Sequence, residues 1–486
     1  MSRCSLSEWS VGTGREPYIR VGVVLPPDGN ERMRADLPDR PYELHVNGTR
    51  AGRIAAGAAE LRVDGNQVAL TDSSGAKHRG TAIRLVPVET AQPVQGSGVR
   101  LHDVLTGRGF HWQKRVSFSL EGTLEFRAYE GRLLGINELG LEDYLQGVIT
   151  AEMSGLCPVE FLKTQCVVAR SWVLAHTEQK HTEWPIDRCN DDCCQRYHGT
   201  SYLTPRATEA VLATRGQAVV DSAGHIIDAN YSKNCGGIIE APEHVWFTSK
   251  TGQRAAVDAP AGSTARRFMP ISDANFDEFL TGAWLESTDV FCSPAVVPDC
   301  DLPRYLGSVD EGGGHFRWCV EYTREQLEAL LRRKLAHVFA EAGESSGPAD
   351  EPILVADLPP RVMDVRVPML VKLVDLRLRQ RGPSGRASEM DIEYLDGAGR
   401  THRIVVRSEY RIREALHDKF LFSSAFKVQM DRDEAGLPSR IRLVGAGWGH
   451  GAGLCQIGAL GMALKGYACR DIVRHYFEGV DLRALY

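Results

Sequence analysis

The 486-residue sequence contains no run of about eighteen apolar residues, so no segment of it qualifies as a membrane-crossing helix. It has no excess of positive charge: a net charge of −6 excludes a general nucleic-acid binder, which would be basic. Its opening residues, MSRCSLSEWSVGTGREPYIRVGVV, lack the basic-then-apolar layout of a secretory leader. Twelve cysteines spread over so long a chain are not the dense framework of a small disulfide scaffold and have to be read locally. What is present is an ordinary globular composition, 43 % apolar and 25 % charged, with length enough for two or three domains.

The stretch from Leu141 to His181 carries the densest signal. Leu141, Tyr144, Leu145, Val148 and Ile149 follow the spacing of an apolar helix stripe, which predicts a helix with one buried face. Pro158 suits the first position of a second helix, and Glu160 favours the same start through the helix dipole. Glu152 ends the first helix beside a Ser154-Gly155 joint, and Lys163 and Arg170 share a face of the second. In an arbitrary helical hairpin such a trio is an acidic helix end facing a solvated basic stripe.

The fragments EDYLQGVITAEM and LKTQCVVARSW resemble the signature of the SpoIID/LytB family of bacterial cell-wall proteins. In that family a helix ending in A-E-M precedes one carrying L-K-x-Q-x-x-x-A-R. The resemblance implies that Glu152 is the catalytic acid of a peptidoglycan lytic transglycosylase, with Lys163, Gln165 and Arg170 as substrate-binding neighbours. Farther on, YSKNCGG is similar to the family's Y-S-x-x-C-G-G, which points to Ser232 as a sugar contact and to a structural or metal role for Cys235. GAGWGHGAGLCQIGALGMA is similar to its C-terminal glycine-rich motif, which points to Trp448, His450 and Gln456, with Cys455 and Ile457 replacing the usual Ser and Tyr. Five glycines from Gly445 to Gly453 suggest tight backbone beside a cleft.

Between the helices and these motifs, KHTEWPIDRCNDDCCQRYHGT reads as loop. Cys189, Cys193, Cys194 and His181 form a complete tetrahedral set for a structural zinc; unconnected thiols, or a disulfide from Cys189, are the alternatives. Some family members carry a similar C-D-x-x-H-C loop, with Asn190 and Cys193 here in place of its Asp and His. Cys292, Cys300, Cys319 and His315 are a further group for a metal or a disulfide.

The predicted fold class is α+β, with β-rich N- and C-terminal parts around the hairpin that carries Glu152. The expected organisation is a β-rich region at 1–132 with a divergent insert at about 51–111, a SpoIID-like core at 133–255, a variable region at 256–439 and a closing motif at 440–486. Strands are expected at YIRVGVV, YELHV, QVALT, TAIRLVPV, VSFSL, TLEFRAY and RLLGINELG. A β-hairpin turning at Ala223-Gly224, a helix from Thr323 to Ala342 and antiparallel strands after Pro360 complete the reading.

One well-placed acid suffices for glycoside cleavage if the substrate supplies its own nucleophile. The resemblance implies such a case, in which the C6 hydroxyl of N-acetylmuramic acid attacks C1 and leaves a 1,6-anhydro end. Burial of Glu152 near Met153 is expected to raise its pKa. The competing function is a non-catalytic peptidoglycan-binding modifier that stimulates an N-acetylmuramoyl-L-alanine amidase; a third is a cytosolic zinc-stabilised protein that reuses the fold. Expected partners are peptidoglycan glycan strands and a cell-wall amidase, with no nucleic acid and no organic cofactor. The substrate implies a cell-wall or extracytoplasmic location, against which stands the missing leader.

Overall fold

The first apolar run, YIRVGVV, is strand β1 (Tyr18–Val24), with Ile19, Val21 and Val23 fully buried. The computed structural model describes residues 4–89, 92–110, 112–175, 177, 179–307, 314–336, 338, 353–355 and 367–486. These fall into two units: one comprises Met1–Asp228, Leu302–Glu311 and Asp481–Tyr486, the other Ala229–Asp301 and Gly312–Val480.

In unit 1, β1 is followed by β2 (Arg32–Leu37), β3 (Tyr42–Val46), β4 (Thr49–Ile54), β5 (Gly57–Asp64), β6 (Gln67–Thr71), β7 (Lys77–Gly80) and β8 (Ala82–Pro87). Then come β9 (Val99–Thr106), β10 (Lys114–Leu120), β11 (Thr123–Tyr129) and β12 (Arg132–Gly140). With the two-residue β13 (Arg188–Cys189) they form a seven-stranded sheet in the order β13-β1-β12-β11-β8-β3-β4 and a six-stranded sheet in the order β10-β9-β2-β5-β6-β7. The mixed α+β class is therefore observed.

Strand β12 runs directly into helix α1 (Leu141–Glu152), whose first amides are met by Pro17 O and the Glu16 carboxylate. The sequence predicts one buried face for α1, yet every residue except Asp143 is buried, because the helix packs against β12, α2 (Val159–Ala175) and α3 (Pro205–Ala213). Thr204 caps α3 through its hydroxyl, and Pro205 starts it.

Past α3 the expected hairpin forms in a short version: strand β14 (Gln217–Val220) turns with Gly224 N–H on Asp221 O, and the returning arm bridges back at Ile226, antiparallel to Val220, with Ile227 N–H on Val219 O. The longer antiparallel partner of β14 is the C-terminal strand Asp481–Ala484. The returning arm leaves at Asp228 for unit 2, where β15 (Tyr231–Ser232) pairs in parallel with residues 454–455.

Unit 2 continues with β16 (Ile238–Ile239) and β17 (Ala256–Val257), an antiparallel pair. Next are β18 (Arg317–Thr323), helix α4 (Arg324–Lys334), β19 (Ile353–Val355), β20 (Lys372–Arg381), β21 (Ala387–Leu395) and β22 (Thr401–Arg407). Helix α5 (Glu409–Ala415), β23 (Phe426–Arg432), β24 (Pro438–Ala446) and β25 (Leu454–Cys455) lead to helices α6 (Gln456–Leu464) and α7 (Cys469–Tyr476). The strand order β18-β24-β23 makes one sheet and β19-β22-β21-β20 another. A core of Trp318, Leu327, Leu331, Met390, Ile392, Tyr394, Ile404 and Ile412 joins both sheets to α4 and α5.

Helix α4 starts as the sequence predicts, with Thr323 and Gln326 in a reciprocal capping box. It stops at Lys334; residues 337 and 339–342 of the expected helix lie outside the described residues. Tyr410 is in α5. Thr323→Ala removes the cap and is expected to cost about 1 kcal/mol, read as earlier hydrogen exchange of the α4 amides.

Candidate functional site

Helix α1 ends on Glu152, which is 7 % exposed and whose Oε1 accepts the backbone N–H of Arg196 at 3.0 Å. The Arg196 guanidinium lies 4.7 Å over the Trp112 ring and donates from Nε to Asp192 Oδ1 at 2.5 Å. Trp112 Nε1 donates to the other oxygen of Asp192 at 2.9 Å. Burial pushes the Asp192 carboxyl up to about 7 against the pull of Arg196, and the charges of Asp191 and Glu152 add to the rise. Sequence reasoning offers a single acid here; the structure adds a second carboxylate and an indole. The only sequence signal for them was the spacing of Asp192 and Arg196, four residues apart.

The loop after α2 is fixed by a residue from the segment read as a divergent insert. Arg108 grips both oxygens of Asp28, at 2.6 and 2.7 Å, and reaches Asn190 Oδ1 and Asp191 Oδ2 at 2.8 and 3.1 Å. Asp191 also accepts the backbone N–H groups of Gly107 and Arg108. Parallel pairing of β13 with β1, Gly22 opposite Cys189, anchors the start of the loop to the sheet. Held this way, His181, Cys189, Cys193 and Cys194 bring one ligand atom each within 4.8 Å of all the others. The thiols of Cys189 and Cys193 stand 3.0 Å apart, and Cys193 Sγ is 3.6 Å from His181 Nε2. Three thiols and an imidazole are a donor set that fits a tetrahedral metal ion.

Arg170 requires correction as a substrate contact. Its side chain has no exposed surface, and its guanidinium holds both oxygens of Glu142 at 2.9 and 2.6 Å, with Gln217 O at 2.9 Å. Glu142 also accepts Gly216 N–H and, at 2.6 Å, the Tyr486 hydroxyl. Arg170 therefore joins α2 to α1, β14 and the last residue of the chain. Gln165 is likewise fully buried on α2, which leaves it no face for a ligand. Lys163 is partly exposed, its ammonium 2.8 Å from Glu160 one turn earlier.

Ser232, Trp448, His450 and Gln456 belong to unit 2. Past Ala446, the end of β24, the glycine-rich segment leaves the strand: Gly447, Gly449, Gly451 and Gly453 all have positive φ, and a Cβ on Gly453 would meet Asn230 O at 2.1 Å. Trp448 exchanges backbone hydrogen bonds with Asn234 and stacks between Phe422 and His315, 4.6 and 4.4 Å away. His450 Nε2 meets Tyr231 O at 3.0 Å while Nδ1 accepts Ala452 N–H. Burial holds His450 down at about 3, with Arg413, Arg386 and Lys250 adding to the shift, so the ring is neutral. Gln456 opens α6 at 1 % exposure, and Ser232 is 6 % exposed.

Arg170→Ala leaves the Glu142 carboxylate buried without its cation and is expected to destabilise the chain by about 3–5 kcal/mol in chemical denaturation. Arg170→Lys restores little of it, because an ammonium cannot span both oxygens. His450 binds fewer protons folded than unfolded between its ordinary 6.5 and about 3, so stability falls as pH drops through that window. Calorimetric melting from pH 8 to 4.5 is expected to show a shallower loss of Tm on acidification in His450→Gln than in the parent.

Comparison with known proteins locates these features. The family model SpoIID, described as Stage II sporulation protein, matches residues 129–220, and a Domain of unknown function (DUF8618) matches residues 356–453. The chain is 23 % identical over 417 residues to an uncharacterized protein of Brachyspira hyodysenteriae, spanning 84 % of this chain and 85 % of that protein. It is 48 % identical over 42 residues to Stage II sporulation protein D of Bacillus amyloliquefaciens, spanning 9 % of this chain and 12 % of that one. The SpoIID match takes in Glu152, Lys163 and all four ligands of the loop, whereas Trp448 and His450 fall in the second match. The likeness to Stage II sporulation proteins thus lies in residues 129–220, the stretch that carries Glu152 and the thiol loop.

Proposed function

We propose that this chain is a peptidoglycan lytic transglycosylase that acts at the cell wall on peptide-stripped glycan strands. It cleaves the bond between N-acetylmuramic acid and N-acetylglucosamine and leaves 1,6-anhydro-muramic ends. The observation that carries the reading is Glu152 at the end of α1, inside the SpoIID match, with its carboxylate oriented by Arg196 N–H. Glu152 donates a proton to the departing glycosidic oxygen and then takes one from the C6 hydroxyl of the muramic ring. Lys163, partly exposed on α2, binds an acetamido or lactyl oxygen. Arg170 acts through the fold: its charge is met by Glu142 and is not spent on Glu152.

His181, Cys189, Cys193 and Cys194 hold a structural zinc in this reading. The ion supplies a crosslink, not chemistry, and it ties down the loop that carries Arg196 to Glu152. The non-catalytic alternative, a wall-binding protein that stimulates an amidase, draws on the small exposure of Glu152 and the full burial of Gln165 and Arg170.

Mass spectrometry of purified peptidoglycan, intact and amidase-stripped, separates the two readings. The parent chain is expected to release anhydro-muramic products, and Glu152→Gln to release at least about 100-fold less, as loss of a general acid does. Equal absence of product from both, with the parent still co-sedimenting with glycan, supports the binding protein.

A further inference from the structure

Unit 2 contains a second cluster of soft ligands, far in sequence from the loop of unit 1. Cys235, Asp258, Cys292 and Cys455 each direct one ligand atom to a common point, all four atoms lying within 4.8 Å of one another. None of the four residues is more than 1 % exposed. The Sγ atoms of Cys235 and Cys292 are 3.5 Å apart, too far for a disulfide bond, and Cys235 Sγ is 3.5 Å from Asp258 Oδ2. The group expected from the sequence, Cys292 with Cys300, Cys319 and His315, is not assembled: Cys300 and Cys319 are exposed, and Cys292 turns to this cluster instead.

The surroundings are arranged as those of a metal site are. Asp258 Oδ1 accepts the Tyr476 hydroxyl at 2.9 Å and meets His475 Nε2 at 3.1 Å, which fixes the carboxylate and leaves Oδ2 turned to the thiols. Cys455 Sγ accepts two backbone N–H groups, from Cys235 at 3.2 Å and Gly458 at 3.3 Å. It thereby occupies the N-cap of α6, where oxygen side chains are the usual choice and where the helix dipole favours an anionic sulfur. Gly458 has to be glycine: a Cβ there would lie 2.1 Å from Asp258 Oδ2 and 2.3 Å from the Tyr476 hydroxyl. A buried carboxylate oxygen facing three buried thiols is costly as plain core packing, and a divalent cation removes that cost.

We infer that Cys235, Asp258, Cys292 and Cys455 bind one zinc ion as a four-coordinate structural site. Three sulfurs and one oxygen suit zinc among the divalent metals. Binding forms three Zn–S bonds and one Zn–O bond, and the thiol protons leave to solvent. The ion crosslinks the turn after β15, the segment after β17, the loop at Cys292 and the start of α6. Cys455, which stands where the resembling family usually has Ser, is a ligand.

The test is zinc content by inductively coupled plasma mass spectrometry on the untagged full-length chain, with native mass spectrometry of the same samples. Two zinc ions per chain are expected for the parent, and one for Cys455→Ser. The double variant Cys193→Ser/Cys194→Ser, altered only in the loop of unit 1, is expected to keep one, and cobalt loaded into it to give a thiolate charge-transfer band. If the loop holds no metal, the parent carries one ion, the loop variant still carries one and Cys455→Ser carries none, which supports the site equally. A loop variant with neither zinc nor a cobalt–thiolate band overturns it, whether or not Cys455→Ser folds. So does a Cys235–Cys292 disulfide in non-reducing peptide mapping of the parent.

Discussion

A guanidinium with no exposed surface must have its charge balanced inside the fold, and in unit 1 Arg170 has that balance from Glu142. Both oxygens of the carboxylate are engaged, and the pair also takes in Gln217 O, Gly216 N–H and the Tyr486 hydroxyl. Four segments distant in sequence are thereby fixed on one another: the start of α1, the middle of α2, the edge of β14 and the last residue. The far end of α1 is held separately, by Arg196 N–H on Glu152 and by Ser154 N–H on Tyr305 O. Glu152 owes its placement to a helix pinned at both ends. A basic face on α2 reads in sequence as a row of ligand contacts; in the structure its innermost member is a structural clamp and only Lys163 faces outward.

What was legible in the sequence was local. YELHV, TLEFRAY and RLLGINELG alternate clearly and are β3, β11 and β12. RMRADL is β2, in which Met33, Ala35 and Leu37 alternate with charged residues and form its buried face, a pattern too short to stand out beside the longer runs; TRAGRI is β4, where only Ile54 is buried and no alternation marks an inner face. The turn at Ala223-Gly224 was readable, whereas the partner of β14, supplied by residues 481–484, was not, because nothing in a short window signals a pairing across the whole chain. The same division runs through the site. Cys189, Cys193 and Cys194 announce themselves by spacing, but Arg108 and Trp112 reach the loop from 82 and 80 residues away, from in or beside the insert that has no recognisable pattern.

The two thiol clusters are built in different ways. The loop cluster depends on a short segment held by charged side chains around Arg108, and two of its cysteines keep some exposure. In unit 2 the four groups come from four separated segments and are buried completely. Close approach there depends on glycine at position 458 and on a sulfur serving as helix cap. The glycine-rich segment has a comparable logic: its positive-φ residues let the backbone of Trp448 pair with Asn234 and that of Gly453 pass close to Asn230. Tight backbone there serves packing within the unit.

Strand β14 has residues 481–484 as its antiparallel partner, and along the chain the residues of unit 2 fall between those of unit 1, with changes of unit after residues 228, 301, 311 and 480. During synthesis the unit that begins first is therefore the last to be completed. Until the final strand emerges, β14 presents an open edge and Glu142 lacks its tyrosine. A chain interrupted before residue 481 would leave an unpaired β-strand edge and a buried ion pair that is only partly built.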